Sequence, residues 1–213
     1  MAVNALARVR MAQYNAFQWR CELSLIKKIT LAIGMACITG LVAQIRIPLL
    51  WTPVPITGQT FAAVLAGVLL GRWWGGVSMI IYAGLGTAGV PWFIGWTGGI
   101  SHLAGPTGGY IIGFILAALL VGHFTDKYIK ARKFPRMLGL ILISNFALIY
   151  IPGLVQLYLW LNLVKGSAVN IYQVLTMGLF PFITGDIIKA IAVAATAWAV
   201  TPKQAYNKEA DKE

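Results

Sequence analysis

Charged residues are scarce in this sequence. Only 11% of its 213 residues are Asp, Glu, Lys or Arg, whereas a soluble globular domain has about 25%. Apolar residues make up 59% of the chain. Because roughly 20 mostly apolar residues cross about 30 Å of hydrocarbon, residues 25–201 have room for six spans with short connections. The composition therefore predicts an all-α integral membrane protein with six transmembrane helices.

The motifs of most enzyme classes are also missing. The sequence contains no HExxH, paired cysteines or carboxylate cluster, and its two histidines, His102 and His123, lie far apart, which argues against a metal site. It has no GxxxxGK[ST] phosphate-binding loop and no nucleophile beside a base. Its two cysteines, Cys21 and Cys37, fall on or near the predicted cytoplasmic side, where thiols stay reduced. We therefore expect no disulfide, no cofactor, no catalysis and no ATPase activity of its own.

Acidic residues are few, with six against 17 basic ones, and the net charge is +11. Such a charge suits nucleic acid or acidic lipid, and its distribution along the chain separates the two. Six spans starting in the cytoplasm leave only Arg46 and Lys165 outside, with Lys189 inside a span. The positive-inside rule then predicts a protein of the cell membrane, with both termini cytoplasmic and no nucleic-acid partner. The other fourteen basic residues fall on the cytoplasmic side: Arg8, Arg10, Arg20, Lys27, Lys28, Arg72, Lys127, Lys130, Arg132, Lys133, Arg136, Lys203, Lys208 and Lys212.

The chain divides into a leader, residues 1–24, a six-helix membrane domain, residues 25–201, and a cytoplasmic tail, residues 202–213. In the leader, Val9 and Phe17 lie beside arginines, so either an interfacial amphipathic helix or a disordered segment fits. The predicted spans cover about residues 25–47, 58–70, 74–85, 105–124, 137–163 and 171–200. The second is too short to cross the hydrocarbon alone, with an internal turn at Gly71 to Trp73 after it.

The first predicted span carries small residues at successive i+4 positions, namely Ala32, Ala36 and Gly40. Small residues on one face let another helix approach closely. That helix could belong to the same bundle or to a separate partner subunit, and the sequence favours neither.

A glycine-rich stretch, residues 84–110, holds nine glycines and two prolines. Irregular backbone at membrane depth survives only where protein or a cavity covers it. The aromatic residues Trp92, Phe93 and Trp96 suit a lid over a ligand, although an aromatic belt at the membrane interface is an alternative.

The segment PFITGDIIKA places Asp186 and Lys189 on one face of the last span, three residues apart. Each isolated charge in mid-membrane costs about 2.5 to 3.5 kcal/mol, so the pair needs a compensating role. A private salt bridge is one explanation. The other is a ligand site, in which spare acceptor positions on Asp186 and spare donors on Lys189 bind the ligand's polar groups. Gln59 adds an amide, whereas Asn145, Tyr150 and Gln156, taken singly, are better explained as contacts between helices.

Four segments in order, PVPITGQTFAAVLAGVLLG, the run from Tyr82 to Phe93, GPTGGYIIGF and PFITGDIIKA, resemble the BioY family of biotin transporter subunits. The resemblance spans about residues 25–200. It implies the fold of a substrate-binding (S) component of energy-coupling factor (ECF) transporters, with biotin as transported ligand. Its implied partners are a transmembrane T component and two ATPases.

The resemblance also implies roles for residues. Asp186 and Lys189 match the GDxxK pair that contacts biotin, and Gln59 matches the glutamine of the PVPxTxQ element. Tyr82, Trp92, Phe93 and Trp96 are weaker candidates for the pocket, and Ala32, Ala36 and Gly40 are candidates for partner docking. Some relatives have an arginine in the third external loop, where this chain has none, so the partner of the biotin carboxylate is left open.

Three other functions are compatible with the sequence. The chain could be an S component for another vitamin, because one fold accepts varied pockets. It could be a membrane scaffold whose only working surface is the small-residue face of the first span. An intramembrane enzyme is the third, and it lacks a visible set of reactive residues.

Overall fold

The computed structural model describes residues 2–205 and 209–211, and these residues are mostly helical. Lys208 and Lys212, two of the basic residues assigned to the tail, lie outside the described part. A two-stranded antiparallel pairing of β1 (Arg46–Ile47) with β2 (Ile56–Thr57) is the regular strand structure among them. The helices are α1 (Ala2–Glu22), α2 (Leu25–Val42), α3 (Gln59–Thr87), α4 (Ile100–Leu103), α5 (Gly108–Lys127), α6 (Phe134–Ile143), α7 (Tyr150–Leu159), α8 (Ile171–Gly178) and α9 (Ile183–Val200).

Short stretches of tighter or wider helix join several of these elements. Residues Ser144–Ile149 and Trp160–Val164 are π-helical, whereas Lys130–Arg132 and Phe180–Phe182 are 3-10 turns. Through these stretches α6 and α7 form one long helical segment, and α8 and α9 form another. Five helical segments are long and apolar enough to span a membrane: Leu25–Val42, Gln59–Thr87, Gly108–Lys127, Phe134–Val164 and Ile171–Val200. Length and composition thus give five spans within the described residues, not the six predicted.

The difference lies at Gly71, inside α3. Its backbone takes φ +80° and ψ −176°, which is not helical. A Cβ atom added to Gly75 would lie 2.8 Å from the Cα of Gly67, although eight residues of straight helix would separate them by about 12 Å. The chain therefore folds back at Gly71, and the two halves of α3 pack against each other.

Glycine also sets the distance between α3 and α5. A Cβ atom on Gly67 would lie 2.5 Å from the carbonyl oxygen of Ala118, and one on Gly122 would lie 2.6 Å from the backbone nitrogen of Arg72. Contacts this short exclude any side chain, so the two helix backbones touch directly. The packed centre of the bundle is built on this approach, with Val68, Met79 and Val121 buried beside it.

One end of the bundle, which we call the basic end, collects Arg20, Arg72, Asp126, Arg132 and Lys203. Nη2 of Arg20 lies 2.6 Å from Oδ1 of Asp126, and the backbone N–H of Arg72 donates to Oδ2 of the same carboxylate at 2.8 Å. Lys203 donates to the carbonyl oxygen of Arg132 at 3.1 Å. Most of the described basic residues assigned to the cytoplasm lie along the elements that meet here.

The buried guanidinium of Arg132 ties the C-terminal tail to the basic end. It donates to the carbonyl oxygen of Thr125 at 2.8 Å and pairs with Glu209 at 3.1 Å. The guanidinium carbon of Arg132 lies 4.5 Å from the ring centre of Phe17, and the guanidinium carbon of Arg20 lies 4.1 Å from the same ring centre. Helix α1 thus packs against the basic end of the bundle through Phe17 and Arg20.

The small-residue face of α2 points into the bundle. Ala32 and Ala36 have no exposed surface, and Gly40 is also buried. A Cβ atom on Gly40 would lie 2.7 Å from the Cβ of Trp92. The hypothesis that this face docks a partner subunit is therefore contradicted in this conformation, because the chain's own side chains already cover it.

Replacing Ala36 by Leu is expected to lower the stability of the protein by about 1 to 3 kcal/mol, because a larger side chain has no space there. Thermal unfolding of the purified protein in detergent measures this effect. Gly34→Leu is the matched control: Gly34 is exposed on the opposite face of α2 and nothing lies within 4 Å of its added Cβ. A stable Ala36→Leu variant that binds ligand but loses only uptake would restore the docking hypothesis.

Candidate functional site

A cavity opens at the end of the bundle opposite the basic end. It holds about 590 Å³ of space free of protein atoms, part of which is open solvent. Four of the predicted site residues line it, namely Gln59, Phe93, Asp186 and Lys189. The rest of its wall is mostly apolar or aromatic and comes from Val54, Pro55, Ile94, Tyr110, Ile111, Phe114, Tyr150 and Phe182, with Thr57, Thr60, His102 and Thr107.

Asp186 lies in the first turn of α9, where the helix dipole favours a carboxylate. Only 2% of its surface is exposed. Oδ1 accepts from Nζ of Lys189 at 2.7 Å and from the hydroxyl of Thr60 at 3.3 Å. Oδ2 accepts from Nδ2 of Asn145 at 3.1 Å and from the hydroxyl of Tyr150. The charge is thus held by four donors from separate elements.

These four donors use the full acceptor capacity of an ionised carboxylate, which has about four lone-pair positions. The expectation that Asp186 keeps spare acceptor positions is therefore wrong for this conformation. Lys189 donates to Asp186 and, at 3.2 Å, to Thr60, so one of its three N–H groups is still free. A ligand N–H can reach Asp186 only by replacing a donor, and Thr60 makes the longest of the four bonds.

Asn145 and Tyr150 reach the same carboxylate oxygen because the helix between them is widened. They lie five residues apart, which on an α-helix turns their side chains about 140° from each other. The π-helical stretch Ser144–Ile149 closes its hydrogen bonds at i+5, and this brings the two side chains to one side. Sequence reasoning treated them as single contacts between helices because α-helical spacing hides their relationship.

Gln59 lies at the start of α3 and is buried. Its Oε1 accepts from the hydroxyl of Thr57 at 2.9 Å, and its Nε2 donates to the hydroxyl of Tyr82 at 2.7 Å. One N–H and one lone pair of the amide are therefore free to meet a ligand. Tyr82 has no exposed surface and is not part of the cavity wall, so in this conformation it acts on the site through its hydrogen bond with Gln59.

The three aromatic residues predicted to contact a ligand from the glycine-rich loop lie in different surroundings. Phe93 lines the cavity, and its ring packs edge-on against Tyr82 with 5.3 Å between centres. Trp92 lies outside the cavity wall, where its indole N–H donates to the carbonyl oxygen of Tyr82 at 3.0 Å. Trp96 is 61% exposed and also lies outside the wall. Trp92 and Trp96 thus do not line the cavity in this conformation, and their contact with a ligand stays a prediction.

Gln44, which sequence reasoning did not select, holds this loop in place. Its Oε1 accepts from the backbone N–H groups of Gly95 at 3.1 Å and Trp96 at 2.9 Å. Its Nε2 donates to the carbonyl oxygen of Phe93 at 3.0 Å. The sequence does show an amide side chain just beyond the last turn of the first span. It does not show which backbone groups this amide binds.

The site is suited to binding a small molecule with a polar end and an apolar body. No group of three or more His, Cys, Asp or Glu side chains that could hold a metal ion occurs in the part of the chain that the structure describes. Asp186, Lys189 and Gln59 supply polar groups to its wall, and most of the remaining lining side chains are apolar or aromatic. This division is typical of sites that bind a small organic ligand.

Comparison with known proteins identifies the family. The model of the BioY family matches residues 11–206 of this chain. The chain belongs to the BioY family. The match includes all seven residues proposed for the ligand site and the whole of the membrane bundle.

Several curated members of the BioY family are similar to this chain over most of its length. The "Probable biotin transporter BioY" of Methanothermobacter thermautotrophicus is 56% identical over 147 residues, covering 69% of this chain and 94% of that protein. The "Biotin transporter BioY" of Thermotoga maritima is 34% identical over 155 residues, covering 73% of this chain and 84% of the relative.

A solved structure shares the BioY fold seen here. It is described as the crystal structure at 2.1 Å of the S-component for biotin from an ECF-type ABC transporter. The two superpose with a TM-score of 0.72 at 26% sequence identity, covering 83% of this chain and 93% of the other. The predicted similarity to an ECF S component is therefore confirmed at the level of the fold.

Proposed function

We propose that this chain captures biotin from outside the cell and is the S component of an ECF-type transporter. The observation that carries the proposal is the cavity wall, to which Asp186, Lys189 and Gln59 all belong among apolar and aromatic side chains. The biotin transporters among its relatives and the solved S-component for biotin support the choice of ligand.

Biotin fits the groups that the cavity presents. Its ureido ring has one C=O acceptor and two N–H donors, and these complement the free N–H of Lys189 and the carboxylate of Asp186. In the bound state we expect one ureido N–H to replace the hydroxyl of Thr60 on Asp186. The bicyclic ring and its sulfur then pack against Phe93 and Phe114, since thioether sulfur and aromatic rings attract each other. The free N–H and lone pair of Gln59 lie ready for the second edge of the ring.

The same proposal includes the topology in the cell membrane. If the two halves of α3 count as separate spans, the bundle has six, and the short second span is shielded by its neighbours. The basic end then lies in the cytoplasm with both termini. Uptake needs energy from outside this chain, since its sequence has no phosphate-binding loop. A T component and two ATPases would supply it, docking on a surface other than the buried face of Ala32, Ala36 and Gly40.

Binding of biotin to the purified protein tests the proposal. A ligand bound to the native state raises the melting temperature, and saturation at about 100 times Kd adds about 2.7 kcal/mol to the stability. We expect biotin to give such a rise and two other vitamins, thiamine and riboflavin, to give none. Mass spectrometry of the ligand released from freshly purified protein identifies the natural occupant.

The results separate the alternatives. A different vitamin in the mass spectrum, with no effect of biotin, would make the chain an S component for that vitamin. No released ligand and no thermal shift with any vitamin would favour a scaffold role. Release of a chemically altered ligand would indicate an intramembrane enzyme.

A further inference from the structure

We infer that Arg46 binds the carboxylate of the ligand in an outer chamber of the cavity. The inference rests on the proposed function and adds a subsite to it. The outer chamber holds about 850 Å³ including open solvent, and Arg46 is one of its lining residues. It shares Pro55, Ile94, His102 and Thr107 with the inner cavity. The two chambers are therefore adjacent, with Lys189 in the wall of the inner one and Arg46 in the wall of the outer one.

The backbone around Arg46 is fixed with respect to the inner site. Arg46 is paired with Thr57 across the two-stranded sheet, and the hydroxyl of Thr57 binds Gln59 in the inner wall. The guanidinium lies over Gly95, where an added Cβ atom would be 2.7 Å from Nη1. Gly95 is itself held by Gln44. The hairpin and the loop held by Gln44 thus fix the backbone on either side of this cation, which lies in the wall of the outer chamber.

Arg46 has no carboxylate partner among the residues that the structure describes. The described ion pairs are those of Arg20, Arg132 and Lys189, and the described acidic residues other than Asp186 belong to the elements of the basic end: Glu22, Asp126, Glu209 and Asp211. Asp186 already has four donors. Arg46 is therefore a cation whose planar fork is free to bind a carboxylate through two parallel hydrogen bonds.

The groups between the two ends suit a flexible apolar chain. Pro55 and Ile94, which line both chambers, offer apolar surface without competing hydrogen bonds. His102 and Thr107 add polar atoms beside the outer chamber. The ligand class that matches this arrangement is a molecule with a neutral polar ring, an alkyl chain and a terminal carboxylate, and biotin belongs to this class.

Lys165 provides a matched control, since it is the other cation assigned to the external side. Its ammonium lies 5.3 Å from the ring centre of Trp160, and it lines neither chamber. If a positive charge anywhere on this face were enough to attract an anionic ligand, removal of Arg46 and of Lys165 would have similar effects. If the outer chamber is a built subsite, only Arg46 matters.

The test compares the Kd of biotin with that of biotinamide, in which a neutral amide replaces the carboxylate. The wild-type protein should bind biotin at least tenfold more tightly than biotinamide. Arg46→Gln should weaken biotin binding by about 10- to 100-fold and leave biotinamide binding unchanged, because only the carboxylate of biotin loses a charge-assisted hydrogen bond. Lys165→Gln should bind both ligands as the wild type does.

Any of several results would overturn the inference. One is a Kd for biotin that Arg46→Gln leaves unchanged. Another is an equal loss for biotin and biotinamide, which would make Arg46 a residue that only shapes the loops. A third is an equal effect of Lys165→Gln. A wild-type protein that binds neither ligand would refute the proposed function itself, whereas tight biotin binding without discrimination against biotinamide refutes only the subsite.

Discussion

Asp186→Asn is expected to weaken biotin binding by about 10- to 100-fold. The ureido N–H loses a hydrogen bond to a charged acceptor, which is worth about 1.5 to 3 kcal/mol, and 1.4 kcal/mol corresponds to a tenfold change in Kd. The Asn side chain also brings an N–H group to a place where Lys189, Tyr150 and Asn145 all donate. Isothermal titration of the purified variant with biotin measures the loss.

Asp211→Asn is the control for this substitution. Asp211 accepts from the backbone N–H groups of Ile129 at 2.6 Å and Lys130 at 2.8 Å, at the basic end and away from the cavity. Its removal is expected to leave the Kd of biotin unchanged. A folded Asp186→Asn variant, with a normal elution profile and thermal transition, that binds biotin like the wild type would remove Asp186 from the site.

Gly71→Ala is expected to lower the stability by about 3 kcal/mol or more. The backbone at Gly71 lies in a region that only glycine adopts freely, and another residue there costs about 1 to 3 kcal/mol. The added Cβ would also lie 2.5 Å from Oδ2 of Asp126. It would push that carboxylate away from Arg20 and from the backbone of Arg72, both of which it binds. A lower melting temperature in detergent is the expected readout.

Gly139→Ala tests whether the effect comes from the position and not from the loss of a glycine. Gly139 lies within α6, its φ is not positive, and nothing lies within 4 Å of its added Cβ. Alanine favours a helix by up to about 1 kcal/mol over glycine, so this variant should be as stable as the wild type or more so. Equal stability of the two variants would mean that the chain does not need the reversal at Gly71.

The sequence was sufficient to predict the membrane bundle, because apolar length is a strong signal. Its limit is visible at Gly71. A short apolar run and a glycine predict a turn, but they do not show whether the two halves pack side by side or continue as one rod. The packing of the two halves depends on the close contact between Gly67 and Gly75. The hydropathy pattern assigns these two glycines to separate segments and does not show their contact.

The polar site was partly predictable for a similar reason. Asp186 and Lys189 are conspicuous because charges inside a span are rare, and their hydrogen bond follows from their spacing. Asn145 and Tyr150 were not assigned to the site, since their meeting depends on a π-helical turn that has no clear sequence signal. Trp96 was assigned to the pocket from its residue type and its place in the loop of the family pattern, and neither determines which way a loop side chain faces.

The four donors around Asp186 have a consequence for the membrane when no biotin is present. A carboxylate without hydrogen-bond donors in an open cavity would attract protons and sodium ions, and it would offer them a binding site within the bilayer. Here the protein's own groups neutralise the charge. We therefore expect liposomes that contain the protein to be no more permeable to protons and sodium ions than protein-free liposomes. The protein then does not dissipate the ion gradients of the cell between rounds of transport.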